Sequence, residues 1–218
     1  MPWYVFALVD RPPASRPGRG LSGTLAARRV PGGFAIAERR ADVPPIEFDA
    51  LRAHDAIVTR IAAASPAILP VRYGTLLELE EIEEALAERE EEMAEAFDAV
   101  RGRVQFTWRR QGAGGARGAG AARGAAGAAV SGTAYLRSVA AKSVPPAAFR
   151  AVRGKLRPLV VSERYQPATA SVPASLYHLV DRDSVERYGL VARKLAASTP
   201  TFRVTGPFPP FAFTPELL

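Results

Sequence analysis

The chain has 218 residues, and its 29 Lys and Arg against 22 Asp and Glu give a formal net charge of +7. With 48% hydrophobic residues, a chain of this length can form the core of one large or two small domains. The absence of cysteine excludes disulfides, iron–sulfur clusters, thiolate zinc sites and cysteine nucleophiles. We see neither a signal peptide nor the roughly 20 consecutive apolar residues of a membrane-spanning helix, so we expect a cytoplasmic protein.

The charge is unevenly distributed along the chain. Residues 78–95 contain ten Glu and one Arg, so the remaining sequence carries 28 basic against 12 acidic residues, a net charge of +16. A Glu run of this kind is usually the solvent-exposed face of a helix, and otherwise it is a binding surface for a basic partner. Such a polarised molecule is suited to docking onto a charged partner or onto copies of itself.

Six elements are predicted in the first 110 residues from apolar periodicity and from the positions of Gly and Pro. In chain order they are a strand at 3–9, a strand at 34–38, a helix from 48 to before Pro66, a strand at 67–73, one long Glu-faced helix from 79 to Gly102 and a strand at 104–108. Phe48 and Leu51 are predicted on the apolar side of the first helix. This order favours an α+β sandwich over a parallel α/β sheet.

Residues 111–128 separate two predicted domains. They comprise seven Gly, eight Ala, two Arg and one Gln, and they lack the large apolar groups that would offset the entropy cost of ordering. We therefore predict an N-terminal α+β domain at 1–110, a flexible linker or loop at 111–128 and a C-terminal domain at 129–218.

The second half predicts a further set of helices and strands. They are helices at 133–142 and 147–161, a strand at 174–180, a helix from 183 to about 197 and a strand at 202–205. Asp183 is the predicted N-cap of the last helix. The tail interleaves Phe208, Phe211 and Phe213 with prolines, which predicts an extended segment lying over the domain rather than a central strand.

The sequence offers few residues for catalysis. His54 lies beside the apolar side of the first helix and His178 lies within a strand, so we interpret both as structural. A role for His178 as a base is the less favoured interpretation, because strand alternation puts it and Asp181 on opposite faces. The glycines of 111–128 fit neither a dinucleotide-binding nor a phosphate-binding loop. We therefore expect no enzyme activity and no cofactor or metal.

The alternative function is an RNA-binding module. A basic α+β sheet with Phe106 and Trp108 on one strand face is typical of proteins that stack bases on aromatic side chains. Phe34 lies in a segment that fits part of the aromatic RNA-binding pattern, but this segment has Ile36 and Arg39 at two of the pattern's aromatic positions. Since packing against the helices of the same domain also explains Phe106 and Trp108, no nucleic acid is expected as a partner.

Three segments occur in an order that resembles a known family. They are residues 68–75 (ILPVRYGT) before the Glu-rich helix, 177–183 (YHLVDRD) before the last helix and 205–213 (TGPFPPFAF) in the tail. Supporting segments are residues 3–9, 54–58 and 132–136, so the match spans nearly the whole chain. The sequence resembles the gas vesicle protein L/F family (GvpL/GvpF).

This resemblance implies a non-enzymatic accessory or minor structural protein of gas vesicle formation, located in the cytoplasm and associated with the vesicle. It implies two α+β domains, the second a modified ferredoxin-like domain. The implied partners are the major gas vesicle shell protein and other gas vesicle accessory proteins.

Candidate partner-binding residues lie in the tail, in the Glu-rich helix and before it. They are Phe208, Phe211, Phe213, Glu84, Glu88, Glu91 and Arg72. For the tail we favour packing on its own domain over partner contact. For Arg72 we favour an ion pair with a Glu of the helix that follows it.

Overall fold

The computed structural model describes residues 1–13, 17–111, 145–169 and 172–218. The chain divides into two compact units, the first comprising Met1–Gln105 with Pro207–Leu218 and the second comprising Phe106–Gly206. From position 112 onward the predicted linker lies outside the described residues, as does the predicted helix at 133–142. In the sequence the first unit has 13 basic and 18 acidic residues and the second has 16 basic and 4 acidic residues, so their net charges are −5 and +12.

An antiparallel sheet forms the centre of the first unit. Its described strands are β1 (Trp3–Val9), β2 (Ala26–Val30), β3 (Gly33–Arg39), β4 (Ile68–Pro70) and β5 (Leu76–Leu77). Their order is β2-β3-β1-β4, and β5 also pairs with β1. All seven side chains of β1 are buried, as expected for a continuous apolar strand covered on both faces.

The strands predicted at 3–9 and 34–38 are confirmed as β1 and β3. The strand predicted at 67–73 is shorter, because only β4 at its centre pairs with β1. Sequence analysis missed β2 and β5. β2 contains two exposed arginines, Arg28 and Arg29, and β5 has only two residues, so neither shows the apolar run of a buried strand.

A β-bulge in β1 determines which side chains face each layer of the first unit. The pairing of β1 with β3 shifts register between Val5 and Ala7. Leu8 therefore packs in the same core cluster as Trp3 and Val5, although strict alternation would place it on the other face. The second cluster takes the remaining residues of β1, which are Tyr4, Phe6, Ala7 and Val9.

Helices cover both faces of this sheet. α1 (Phe48–Ala64) contributes Ile57, Val58 and Ile61 to the cluster that contains Phe6. α2 (Leu79–Ala87) and α3 (Glu90–Val100) contribute apolar side chains to the cluster that contains Trp3. The predicted end of α1 before Pro66 is confirmed.

The prediction of one long Glu-faced helix at 79–101 is wrong, because the helix breaks between α2 and α3. Arg89 leaves helical geometry with a φ of −127°, and its amide N–H bonds the carbonyl oxygen of Leu86 at 3.0 Å. The apolar periodicity continues across this break, so the periodicity could not reveal the break. The predicted end at Gly102 is confirmed, since this residue has a φ of +67°, a conformation that favours glycine.

The second unit is built on a sheet with the order β7-β8-β6-β9 among the described strands. Its elements are β6 (Arg103–Arg110), α4 (Arg150–Leu156), β7 (Ser162–Gln166), β8 (Ser175–Asp181), α5 (Val185–Ser198) and β9 (Phe202–Phe208). The strands predicted at 104–108, 174–180 and 202–205 and the last helix are confirmed. The finer assignment of this unit as a modified ferredoxin-like domain stays a prediction.

Two details of the second unit differ from the sequence prediction. α4 is shorter than the predicted helix at 147–161, because 3-10 turns flank it and the chain then enters β7, a strand with alternating exposure that sequence analysis missed. Asp183 is not the N-cap of α5. It lies in a 3-10 turn at Arg182–Ser184, and α5 begins after Ser184 without a side-chain capping bond.

The tail belongs to the first unit, whereas the predicted C-terminal domain extended to residue 218. β9 ends at Phe208 and is an edge strand of its sheet. Pro207, which has no N–H to donate, therefore removes no hydrogen bond from a central strand. A 3-10 turn at Phe211–Phe213 follows, and Leu217 is buried in the core cluster that contains Trp3. Apolar contacts therefore hold the tail on the first unit.

Candidate partner-binding site

Exposed apolar side chains gather around the start of α1. The exposed fractions are 46% for Val43, 84% for Ile46, 72% for Phe48 and 39% for both Leu51 and Phe211. A single exposed apolar side chain is ordinary, but a group of them indicates an interaction surface. We name these five residues the apolar patch.

The chain before α1 is held in place by the turn after β4. The hydroxyl of Tyr73 donates a hydrogen bond to the carbonyl oxygen of Pro45 at 2.8 Å. Gly74 has a φ of +94°, and a Cβ built there would lie 3.5 Å from the Val43 side chain. The patch residues Val43 and Ile46 thus lie in a segment that a hydrogen bond to the Pro45 carbonyl holds in place.

The exposure of Phe48 and Leu51 corrects the sequence prediction. Both were predicted on the buried side of α1, but the buried side begins at His54, one turn later. Phe48 and Leu51 are three residues apart and lie on one side of the helix. The helical period is therefore correct, but the first turn of the apolar stripe is left uncovered.

A cleft of about 560 Å³ in the first unit shares two residues with the apolar patch. Leu51 lines it from α1, and Phe211 lines it from the tail. The other walls come from Leu8, His54 and Asp55 and from residues 69–73 and 214–218. Patch and cleft therefore meet at Leu51 and Phe211.

Arg72 contacts the tail at this cleft. Its guanidinium forms an ion pair with the carboxylate of Glu216, and Arg89 donates to the Glu216 backbone carbonyl. The prediction that Arg72 pairs with a Glu of the following helix is wrong, since its partner lies 144 positions further along the chain. Local spacing cannot reveal such a contact.

His54 is a buried structural residue beneath the cleft. The hydroxyl of Tyr4 accepts a hydrogen bond from the Gly74 amide at 3.2 Å, which leaves its proton for the Nδ1 of His54 at 3.1 Å. The His54 ring also stacks on Phe6 with centroids 5.2 Å apart. Burial lowers the pKa of His54 to about 4 and raises that of Tyr4 to about 12, so both are neutral at pH 7.

His178 belongs to a hydrogen-bonded chain in the second unit. The indole of Trp108 donates to the Tyr188 hydroxyl at 2.8 Å, and this hydroxyl bonds the Nδ1 of His178 at 2.8 Å. The Nε2 of His178 lies 3.3 Å from Glu163, whose other oxygen accepts from Arg153 at 2.7 Å. We call these five residues the relay. It continues from a buried indole to a partly exposed arginine.

The relay fixes the tautomer of His178. The Tyr188 oxygen accepts a hydrogen bond from Trp108, so the Tyr188 hydroxyl donates its own hydrogen bond to Nδ1 of His178. The imidazole proton is therefore on Nε2, which faces Glu163. Burial and the positive charge of Arg153 lower the pKa of His178 to about 4. Burial raises the pKa of Tyr188. Tyr188 and His178 are thus paired within the relay. Asp181, considered with His178 in the sequence analysis, is exposed at the end of β8.

The sequence model of a family described as gas vesicle synthesis protein GvpL/GvpF matches residues 2–215. The chain belongs to the GvpL/GvpF family.

Two solved structures of gas vesicle protein GvpF resemble this chain over almost its whole length. The protein from Anabaena sp. PCC7120 matches with a TM-score of 0.73 and 11% identity, covering 98% of this chain and 96% of that one. The protein from Microcystis aeruginosa matches with a TM-score of 0.71 and 10% identity, covering 97% and 98%. No curated protein matches the sequence. The structural similarity confirms the predicted α+β fold.

The tail aromatics have three different environments. Phe211 is in the apolar patch, Phe213 packs partly buried against the core cluster that contains Trp3, and Phe208 is partly buried at the end of β9. The structure thus brings Arg72 and Phe211 to one cleft.

The predicted glutamates do not line that cleft. Glu84 lies on α2, Glu88 follows its end and Glu91 lies in the first turn of α3, and all three are exposed. All ten Glu of residues 78–95 are exposed, as predicted for a solvated helix face. Sequence analysis did not identify Ile46 and Glu216 as parts of the site, because only the tertiary fold brings them there.

The aromatic side chains required by the RNA-binding alternative are not available for stacking. Trp108 is fully buried and Phe106 is 4% exposed. The ring of Phe106 packs on Tyr188 with centroids 4.3 Å apart. Base stacking needs accessible ring faces, so burial of both side chains removes the main support for that alternative.

The described residues contain no group of three or more His, Asp or Glu side chains that could hold a metal ion. Within the same residues, no helix combines the length and the apolar character needed to cross a bilayer.

Proposed function

We propose that this protein is an accessory or minor structural protein of gas vesicle formation, which binds the major shell protein and assists its assembly without catalysing a reaction. The proposal rests on its family and on the apolar patch beside the cleft of the first unit. The patch is the observation that carries the binding role, since it offers a ready contact surface for an apolar partner.

The chemistry of a gas-filled protein shell explains why such a surface is useful. A shell subunit is apolar on the side that faces gas, and free subunits therefore tend to self-associate. A partner that covers this apolar surface before assembly needs exposed apolar groups of its own. Ile46 and Phe48, the most exposed members of the patch, fit this role.

Charged groups at the cleft and on a separate acidic surface would orient the shell protein. Arg72 and Glu216 lie at the cleft, and the exposed glutamates Glu84, Glu88 and Glu91 give the first unit a separate acidic surface. Complementary charges at the edge of an apolar contact raise the association rate and disfavour wrong orientations. We infer that the same acidic surface contacts basic regions of the shell protein or of other accessory proteins, in the cytoplasm and at the growing vesicle.

The test is gas vesicle formation in vesicle-forming cells that carry this gene. The gene is replaced by a variant with Ile46→Ser and Phe48→Ser, and vesicles are measured as light scattering that disappears when pressure collapses them. We expect scattering to fall at least fivefold with unchanged protein level by immunoblot.

The matched control changes two exposed apolar residues of the second unit, Val172→Ser and Leu190→Ser, which are 37% and 56% exposed. This control should form vesicles normally. Normal vesicle formation by the patch variant would contradict the proposed role of the patch, and normal formation after deletion of the gene would contradict the assembly function.

A further inference from the structure

The second unit has its own cleft, of about 520 Å³, which the proposed function does not use. This cleft is lined by three arginines, Arg150, Arg153 and Arg157. They lie at positions i, i+3 and i+7 of α4 and its continuation, where Arg157 keeps helical backbone angles. This spacing places all three on one side of the helical segment.

The relay fixes one wall of this cleft. Glu163 and His178 both line it, and Glu163 is bonded by His178 on one oxygen and by Arg153 on the other. The Arg153 bond uses its Nε atom, so the guanidinium is positioned. Its terminal nitrogens are further donors, and they form no hydrogen bond with Glu163 or another described residue. The buried His178 and its hydrogen bond to Glu163 thus help to hold the Arg153 guanidinium in position.

The charge of the cleft is not balanced within the described residues. Arg150 and Arg157 form no ion pair there, and both are exposed. Among the described residues that line the cleft, Glu163 is the one carboxylate against three guanidinium groups, which gives them a net charge of +2. The cleft also belongs to the unit whose sequence carries a net charge of +12, so the long-range field has the same sign.

We propose that this cleft binds a small ligand that carries a phosphate or pyrophosphate group. Guanidinium forks form paired hydrogen bonds with phosphate oxygens, and the net charge of +2 matches a dianion. The volume suits a small molecule, and Val160 and Val161 supply apolar wall for its uncharged part. This site is distinct in residues and in chemistry from the apolar patch of the first unit.

The experiment is a calorimetric titration of the full chain with pyrophosphate at low ionic strength. We expect saturable binding with one site per chain. The variant with Arg150→Ala and Arg157→Ala should bind at least tenfold more weakly. Both side chains are exposed, so the variant should fold, which circular dichroism verifies.

The matched control removes two arginines of α5 that do not line the cleft, Arg187→Ala and Arg193→Ala. It has the same net charge as the cleft variant and should bind pyrophosphate within twofold of the original chain. Equal weakening by both variants, or binding that does not saturate, would show general attraction to a basic protein and would overturn the site.

Two further titrants test the ligand class. Malonate, a dicarboxylate, should bind at least fivefold more weakly than pyrophosphate, and a peptide of residues 78–95 should not displace pyrophosphate. Equal or tighter binding of malonate would overturn the assignment to phosphate. Arginine-dependent capture of the acidic peptide without pyrophosphate binding would assign the cleft to an acidic protein surface instead.

Discussion

The indole N–H of Trp108 donates a hydrogen bond to the hydroxyl of Tyr188 at 2.8 Å, and both side chains are fully buried. The two residues come from β6 and α5, so this bond joins the sheet of the second unit to its long helix. Trp108 thereby contributes both apolar packing and a satisfied polar group to the core. The hydroxyl serves two neighbours, because it also bonds His178.

Replacing Tyr188 by Phe should destabilise the second unit by about 2 to 4 kcal/mol. The change leaves the indole N–H of Trp108 and the Nδ1 of His178 buried without their partner. The measurement is urea unfolding followed by tryptophan fluorescence. Tyr177→Phe is the matched control, since the Tyr177 hydroxyl bonds Gln166 at an exposed position. A loss below about 0.5 kcal/mol in Tyr188→Phe would show that the relay does not stabilise the fold.

Acid should destabilise both units over a defined pH range. Burial lowers the folded-state pKa of His54 and of His178 to about 4, against 6.5 as the ordinary value. The unfolded chain therefore binds more protons between these values. This contribution to stability is fully present above pH 6.5 and is lost as the pH falls towards 4, with a slope of up to about 1.4 kcal/mol per pH unit for each histidine.

Proton NMR of the imidazole C–H groups tests this pH dependence directly. Both histidines should remain neutral in the folded chain at pH 5.5, while a denatured sample titrates near 6.5. Titration of either histidine near 6.5 in the folded chain would contradict its burial in an apolar or hydrogen-bonded environment.

Leu217→Ala should destabilise the first unit by about 2 to 4 kcal/mol, because Leu217 is buried in the core cluster that contains Trp3. Glu216→Gln removes the neighbouring ion pair with Arg72. The side chains of Arg72 and Glu216 are 73% and 61% exposed. That change should cost less than about 0.5 kcal/mol. Thermal unfolding of the two variants separates the contributions. Equal effects would mean that charge rather than apolar contact holds the tail.

Two glycines should respond oppositely to alanine. Gly154 lies within α4 and has no heavy atom within 4 Å of an added Cβ, so Gly154→Ala should stabilise the chain by about 0.5 to 1 kcal/mol. At Gly33 an added Cβ would lie 2.6 Å from the backbone oxygen of Val9, so Gly33→Ala should destabilise. Urea midpoints check both. The same sign for both variants would contradict the local geometry.

Sequence patterns were sufficient where one periodicity covered a whole element. β1 is a continuous apolar run, and the buried side of α5 repeats at helical spacing through Tyr188, Ala192 and Leu195. The family segments were also recognisable from sequence, because they are short strings of residues in a fixed order. Fold class and family could therefore be predicted.

The candidate site could be predicted only in part. Phe211 and Arg72 were named from sequence, but the exposure of Phe48 depends on which part of α1 the rest of the first unit covers. The pairing of Arg72 with Glu216 depends on the return of the tail to the first unit. Residue spacing contains neither kind of information, since both arise from contacts distant in the chain.

Capture of the major gas vesicle shell protein by the purified full chain tests the proposed binding directly. The original chain should retain the shell protein, and the variant with Ile46→Ser and Phe48→Ser should retain at least tenfold less. The control with Val172→Ser and Leu190→Ser should retain as much as the original. Retention that is equal for all three proteins would contradict binding through the apolar patch, and no retention by the original chain would contradict the proposed function itself.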